Sequence, residues 1–159
     1  MKTTQSFLAF FVSLFLAFSA AFLGSYFTFG AIQGWYADLV KPFLNPPNWI
    51  FAPAWTVLYT LMAVAAWRVW EKRSDSPKVV PILILYVVHL AVNALWSIVF
   101  FGLQKPALAL GIIGVLLAMI FILMRSFYRI DKTAGYLFAP YFAWVLFATY
   151  LNASIFLLN

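Results

Sequence analysis

The chain has 159 residues, 66% of them hydrophobic and only 9% charged, against roughly 45–50% and roughly 25% in soluble domains. A water-soluble fold cannot hide that much apolar side chain, and the net charge of +6 rests on ten Lys and Arg that flank apolar runs rather than forming the stripe a nucleic acid requires. With no cysteine in the chain, disulfides, thiolate metal sites and cysteine nucleophiles are excluded.

About 20 apolar residues cross a hydrocarbon core, and five such segments fit here with short connections. The composition therefore predicts an all-α membrane protein, a bundle of five transmembrane helices forming a single domain over residues 1–159. The first helix is predicted over 6–29. Met1 to Phe18 imitates a signal peptide, with Lys2, an apolar core and the small residues Ser19, Ala20 and Ala21. The apolar run continues to Phe29, however, long enough for a retained span. Gly30 and Gly34 are read as ending it. The cap loop, 30–49, holds Lys41-Pro42 and Asn45-Pro46-Pro47-Asn48. Prolines at this density prevent a continuous helix and fix φ, so a rigid cap is expected, with at most one short helix over 35–40. The second span, 50–70, carries Pro53 in its first turn, where a missing N–H costs nothing, and ends in the polar stretch Glu71 to Pro77. The third, 79–103, is followed by Gln104-Lys105-Pro106. The fourth is predicted over 107–128, with Pro106 near its first position. The fifth, 134–158, contains Pro140, which is expected to kink it.

Lys2, Arg68, Lys72, Arg73, Lys78, Arg125, Arg129 and Lys132 fall on one side of this layout, and only Lys41 and Lys105 on the other. By the positive-inside rule the amino terminus is cytoplasmic, and the cap and carboxyl terminus face outward.

Polar groups deep in a span are the functional candidates. His89, Asn93 and Trp96 stand at i, i+4 and i+7, on one helical face that should point into the bundle. For His89 and Asn93 the alternative is interhelical packing glue. Trp55 and Tyr59 form a second stripe, and Tyr141, Trp144 and Ala148 a third. Trp67, Trp70 and Trp49 read as interfacial anchors, whereas Trp55, Trp96 and Trp144 together could wall a pocket that stacks a large flat ligand. None of the four acids lies at mid-span, there is a single histidine, and no phosphate loop, nucleophile elbow or two-histidine metal motif is present. Conventional hydrolytic or metal-dependent chemistry is not expected. No metal site is predicted, His89 being the one residue that could serve as a ligand. Without intramembrane acids or internal repeats, transport is the reading least supported.

Several segments then resemble one family. Trp35-Tyr36 with Lys41-Pro42, Asn45-Pro46-Pro47-Asn48-Trp49 and Pro53-Ala54-Trp55 are similar to the tryptophan-rich sensory protein and translocator protein family, also called peripheral benzodiazepine receptors. So are Asn93-Ala94-Leu95-Trp96 with Phe100-Phe101-Gly102, and Pro140-Tyr141-Phe142-Ala143-Trp144 with Ala148-Thr149. The resemblance runs from about Gly34 to Asn152. It implies a five-helix bundle, commonly a homodimer, in the bacterial inner membrane, with a ligand cavity closed by the loop after the first helix. It also implies binding of porphyrins, protoporphyrin or heme, as ligands, with no required cofactor, and a sensory or regulatory role. Bacterial members have a proposed light-dependent breakdown of protoporphyrin, and the matching motifs would make Trp55 and Trp144 its participants. Tyr36, Pro46, Trp55, Asn93, Trp96, Trp144 and Ala148 match ligand-contacting positions, with Trp35, Lys41, Pro42, Pro47 and Trp49 in the cap. Lys41 is the only nearby cation for a porphyrin carboxylate.

The chain also departs from the pattern. Leu44 stands where a tryptophan is common before the proline pair, and His89 where a glutamine is common. Ala153 and Leu157 replace the tyrosine and basic residue of the animal cholesterol pattern, which puts sterol transport in doubt.

Overall fold

The computed structural model describes residues 2–159, with the side chain of Lys2 and all of Met1 outside the description. The described chain is helical throughout its long segments. Helix α1 runs Lys2–Gln33 and a single turn, α2, Trp35–Asp38. A 3-10 turn at Asn48–Ile50 leads into α3, Phe51–Glu71. Helix α4, Val79–Ser97, continues into a π-helical turn, Ile98–Gly102, and α5 (Pro106–Ile130) and α6 (Lys132–Leu158) complete the bundle. Helices α1, α3, α4, α5 and α6 are each long and apolar enough to span a membrane. A lipid core offers the backbone no other hydrogen-bond partner, so the helix is the only spanning form open to such segments.

Helix α1 overruns the sequence reading at both ends. It begins at Lys2 rather than residue 6 and does not stop at Phe29, so the cap begins near Gly34 rather than at residue 30. A single glycine within a helix costs only about 1 kcal/mol, less than leaving backbone groups unpaired at the membrane, so α1 passes through Gly30 to Gln33. Pro106 occupies the first position of α5, and α6 continues through Pro140 without a break.

Helix α1 changes neighbours along its length. Near its start it lies on α3: the Trp67 indole N–H reaches the Ser6 carbonyl at 3.1 Å, Phe10 packs edge-on to the same ring, and Arg73 reaches Gln5. Ala17 is fully buried at mid-helix, as is Ala63, which shares the α3 stripe of Tyr59 and Trp67, and small residues of this kind let helices approach closely. Beyond Phe18, whose ring meets Tyr59 at 6.4 Å, α1 moves to α4 instead. A Cβ on Gly24 would stand 3.3 Å from Ser97 Oγ, Thr28 Oγ1 lies 3.2 Å from the same oxygen, and Phe27 fills the space a side chain on Gly102 would take. This crossing separates α1 from α3 in the cap half of the bundle.

Both ends of the bundle are tied. Away from the cap, Arg68 on α3 forms a two-point contact with Asp131, its Nη2 at 2.8 Å and Nε at 3.2 Å, and Asp131 also caps α6 by accepting the Ala134 amide N–H. Burial pushes the Asp131 carboxyl up, but the Arg68 hydrogen bonds, the Ala134 amide and the Arg68 charge outweigh it and hold the group below its usual range. At the other end the Asn159 side chain accepts from the Val40 N–H and donates to the Val40 carbonyl, fastening the carboxyl terminus to the cap.

Candidate functional site

The divergence of α1 from α3 leaves a cavity of about 740 Å³ beneath the cap, walled by α1, α3, α4 and α6. That is within the roughly 300–1,000 Å³ typical of small-molecule sites. On α3 the wall is Trp55 and Tyr59, on α6 Trp144 and Ala148, on α4 Asn93 and Trp96, and the roof is Tyr36 with Trp49. The Trp55 and Trp144 rings stand nearly perpendicular, 6.5 Å between centroids. On the side between α1 and α3 the lining residues Phe22, Ser25 and Phe29 of α1, and Ala52 and Thr56 of α3, are exposed, so the chamber opens laterally there.

The π-helical turn explains how α4 gives so much aromatic surface. Its wider winding, with the Leu103 N–H donating to the Ile98 carbonyl, adds a residue to the turn. The consecutive rings of Phe100 and Phe101 thereby both line the chamber, Phe100 stacking on Trp96 at 5.5 Å. Such turns recur at functional sites.

A buried polar network lies at the floor. Asn93 donates from Nδ2 to the Tyr141 hydroxyl oxygen at 2.7 Å, and its Oδ1 accepts from Tyr59 at 3.3 Å. His89 is fully buried and does not line the chamber; its Nδ1 lies 2.9 Å from the Tyr86 carbonyl and its Nε2 2.9 Å from the Tyr141 hydroxyl. Both ring nitrogens are thus engaged, and among the described residues no three His, Cys, Asp or Glu side chains gather in a metal-binding cluster. Trp96 donates its indole N–H to Asn152, which in turn donates to the Pro106 carbonyl, linking α4, α6 and the start of α5.

Of the residues expected from sequence, Tyr36, Trp55, Asn93, Trp96, Trp144, Ala148 and Trp49 come together around the chamber, whereas Pro46, Trp35, Lys41, Pro42 and Pro47 do not line it. They shape the cap. Lys41 donates to the Ala37 and Leu39 carbonyls and lies 5.0 Å from the centre of the Tyr36 ring. Tyr36 donates to Asn45 Oδ1 at 2.8 Å, and burial pushes its phenol up to about 12, so it remains a donor at neutral pH. The sequence reading missed the α1 wall, Asn152 and the polar edge formed by Ser97 and Thr28. Asn152 carried a usable signal, being an amide deep in a span and two turns beyond Trp144.

Fold and chamber together define a class: a multi-pass helical membrane protein with an aromatic cavity inside the bundle. The TspO/MBR family model matches residues 11–158, and the chain belongs to that family. It is 40% identical over 150 residues to the tryptophan-rich protein TspO of Archaeoglobus fulgidus, covering 92% of this chain and 94% of the relative. It is 41% identical over 150 residues to a tryptophan-rich sensory protein of Cereibacter sphaeroides, covering 92% of each. The human translocator protein is 34% identical over 135 residues, 84% of this chain and 80% of the relative.

Proposed function

We propose that this protein binds porphyrin-type tetrapyrroles in the chamber between α1, α3, α4 and α6, and that occupancy serves a sensory or regulatory role. The observation that carries this reading is the pair of indoles, Trp55 and Trp144, set edge to face across one wall of an apolar cavity. A flat macrocycle needs aromatic faces to stack on and a few oriented polar groups at its edge. Asn93 and Tyr59 supply such groups at the floor, and Gln33 and Asn48 supply exposed amides at the rim for acidic side groups. The Cereibacter sphaeroides relative is a tryptophan-rich sensory protein, which supports the sensory part. Titration of purified protein with protoporphyrin, heme and a linear tetrapyrrole, read by tryptophan fluorescence quenching, tests the proposal. Saturable quenching by the macrocycles is expected, and its absence for every member of the panel refutes it.

A second reading has its own support: Trp55 lies within 6.3 Å of Tyr141 as well as beside Trp144, a cluster of oxidisable rings suited to photo-oxidative breakdown of the ligand. Trp55→Phe and Trp144→Phe keep a stacking face and lose the more easily oxidised indole. Retained binding with lost light-dependent bleaching favours this reading. Parallel loss of both favours stacking alone.

The placement belongs to the same proposal: an inner-membrane protein, homodimeric, with its amino terminus cytoplasmic. Labelling of Ser74→Cys from the cytoplasm and of Asn159→Cys from outside is expected. The reverse pattern inverts the topology, and a monomeric mass in detergent argues against the dimer.

A further inference from the structure

The four side chains at the chamber floor form a directed chain of hydrogen bonds. A carbonyl oxygen only accepts, so His89 Nδ1, 2.9 Å from the Tyr86 carbonyl, carries the ring hydrogen. In the neutral imidazole Nε2 is then an acceptor, and the Tyr141 hydroxyl 2.9 Å away is its donor. The Tyr141 oxygen in turn accepts from Asn93, whose Oδ1 accepts from Tyr59. Tyr141 is fully buried, and among the described residues its hydroxyl proton has one acceptor, His89. Its ring lies 6.3 Å, edge to face, from Trp55, which faces the chamber.

We propose that Tyr141 and His89 form a proton-coupled redox relay that returns an oxidised Trp55 to its resting state. The proposal rests on the reading that a photo-excitable porphyrin occupies the chamber. The excited porphyrin takes one electron from Trp55, giving a porphyrin radical anion and a Trp55 radical cation. Tyr141 gives one electron to Trp55 and its hydroxyl proton to His89 Nε2. The products are neutral Trp55, a neutral Tyr141 phenoxyl radical and a protonated His89. Charge and atoms balance, and the base is needed because a phenol that loses an electron without losing its proton is a strong acid with nowhere to discharge. Asn93 keeps a hydrogen bond to the phenoxyl oxygen. A glutamine in place of His89 would accept the same hydrogen bond but is no base, so the relay depends on the imidazole.

Flash illumination of protoporphyrin-loaded full-length protein without oxygen, with a viologen taking the electron from the porphyrin anion, provides the test. Radicals are trapped by freezing and identified by electron paramagnetic resonance, at saturating porphyrin for every variant. The wild type is expected to give a neutral tyrosyl radical whose rise slows in heavy water. Tyr141→Phe should abolish that signal and leave a tryptophan radical. His89→Gln should slow its formation by roughly a hundredfold, the low end for loss of a positioned base. A merely structural role for His89 would leave the rate and the heavy-water effect unchanged in His89→Gln. Should Tyr141→Phe fail to fold, His89→Gln and the solvent effect still decide the matter. Bound porphyrin without a tyrosyl radical, or a tyrosyl radical that survives Tyr141→Phe, overturns the relay alone. No binding of porphyrin overturns the proposed function and removes the relay's oxidant with it.

Discussion

The two halves of the bundle share the same apolar helices and end up opposite in character. Away from the cap the helices close on one another: Met62, Val69, Leu123, Phe127, Ala134 and Phe138 are fully buried, and Gly135 lies so close to α5 that an added Cβ would stand 2.6 Å from Tyr128 Cα. In the cap half α1 leaves α3 for α4 and the same bundle is hollow. Tryptophan is concentrated in the hollow half, where Trp49, Trp55, Trp96 and Trp144 line the chamber, but rings alone do not hold helices apart. What opens the gap is where small residues sit. Ala17 is buried, as is Ala63 on the α3 stripe of Tyr59 and Trp67 that meets α1, while Gly24 brings α1 onto Ser97 of α4, and a helix held by two different neighbours must open a gap beside the one it leaves.

Adding or removing atoms in each half sharpens this contrast. The largest effect is expected from Gly135→Ala. The new methyl meets Tyr128 backbone rather than a flexible side chain, so overpacking of about 1–3 kcal/mol or more should lower the melting temperature in detergent. An unchanged melt would mean that the solid half is looser than its geometry. In the hollow half, Asn93→Ala should lower the melt less than Gly135→Ala, by the loss of the Tyr59 hydroxyl's acceptor, and weaken protoporphyrin binding by about tenfold, or about 1.4 kcal/mol, read by fluorescence quenching. Undiminished affinity would make Asn93 packing alone.

The smallest effect concerns the tie at the closed end. Asp131 has a folded-state carboxyl held below its ordinary value of 3.8, so its contribution is fully present above that value and lost as pH falls through the lowered one. Arg68 is partly exposed, which limits the ion pair to about 0–1 kcal/mol, and the cap of α6 adds about 1 kcal/mol. Asp131→Asn should therefore cost little at neutral pH and flatten the acid limb of the stability profile. An acid limb identical to the wild type would assign it to other groups.

The five spans were legible because membrane thickness sets their length, and α3, α4 with its π turn, α5 and α6 lie within two residues of their predicted ends. The end of α1 was not, because Gly30 looks like a stop in sequence and yet costs less than broken backbone hydrogen bonds in lipid. The chamber was half legible. Trp55, Asn93, Trp96, Trp144 and Ala148 betray their faces by helical spacing with a polar or small partner. The α1 wall has no such signature, since Phe18, Phe22 and Phe29 differ in no way from the lipid-facing Phe11 and Phe15 on the same helix. The cap prolines carried the resemblance but shape the roof, a distinction that needs coordinates. The link from His89 to Tyr141, 52 positions apart, joins two stripes that the sequence shows only separately.

If the hollow half holds the tetrapyrrole proposed above, filling it must exclude the ligand. Ala148 is a small residue on the chamber wall, and Ala148→Phe puts a ring into the space the ligand would take without touching the solid half. The most direct measurement is a protoporphyrin titration of this variant beside the wild type, with both melts recorded. An unchanged melt and affinity lowered by well over about tenfold are expected. Equal affinity in a folded Ala148→Phe protein would place the porphyrin elsewhere and contradict it.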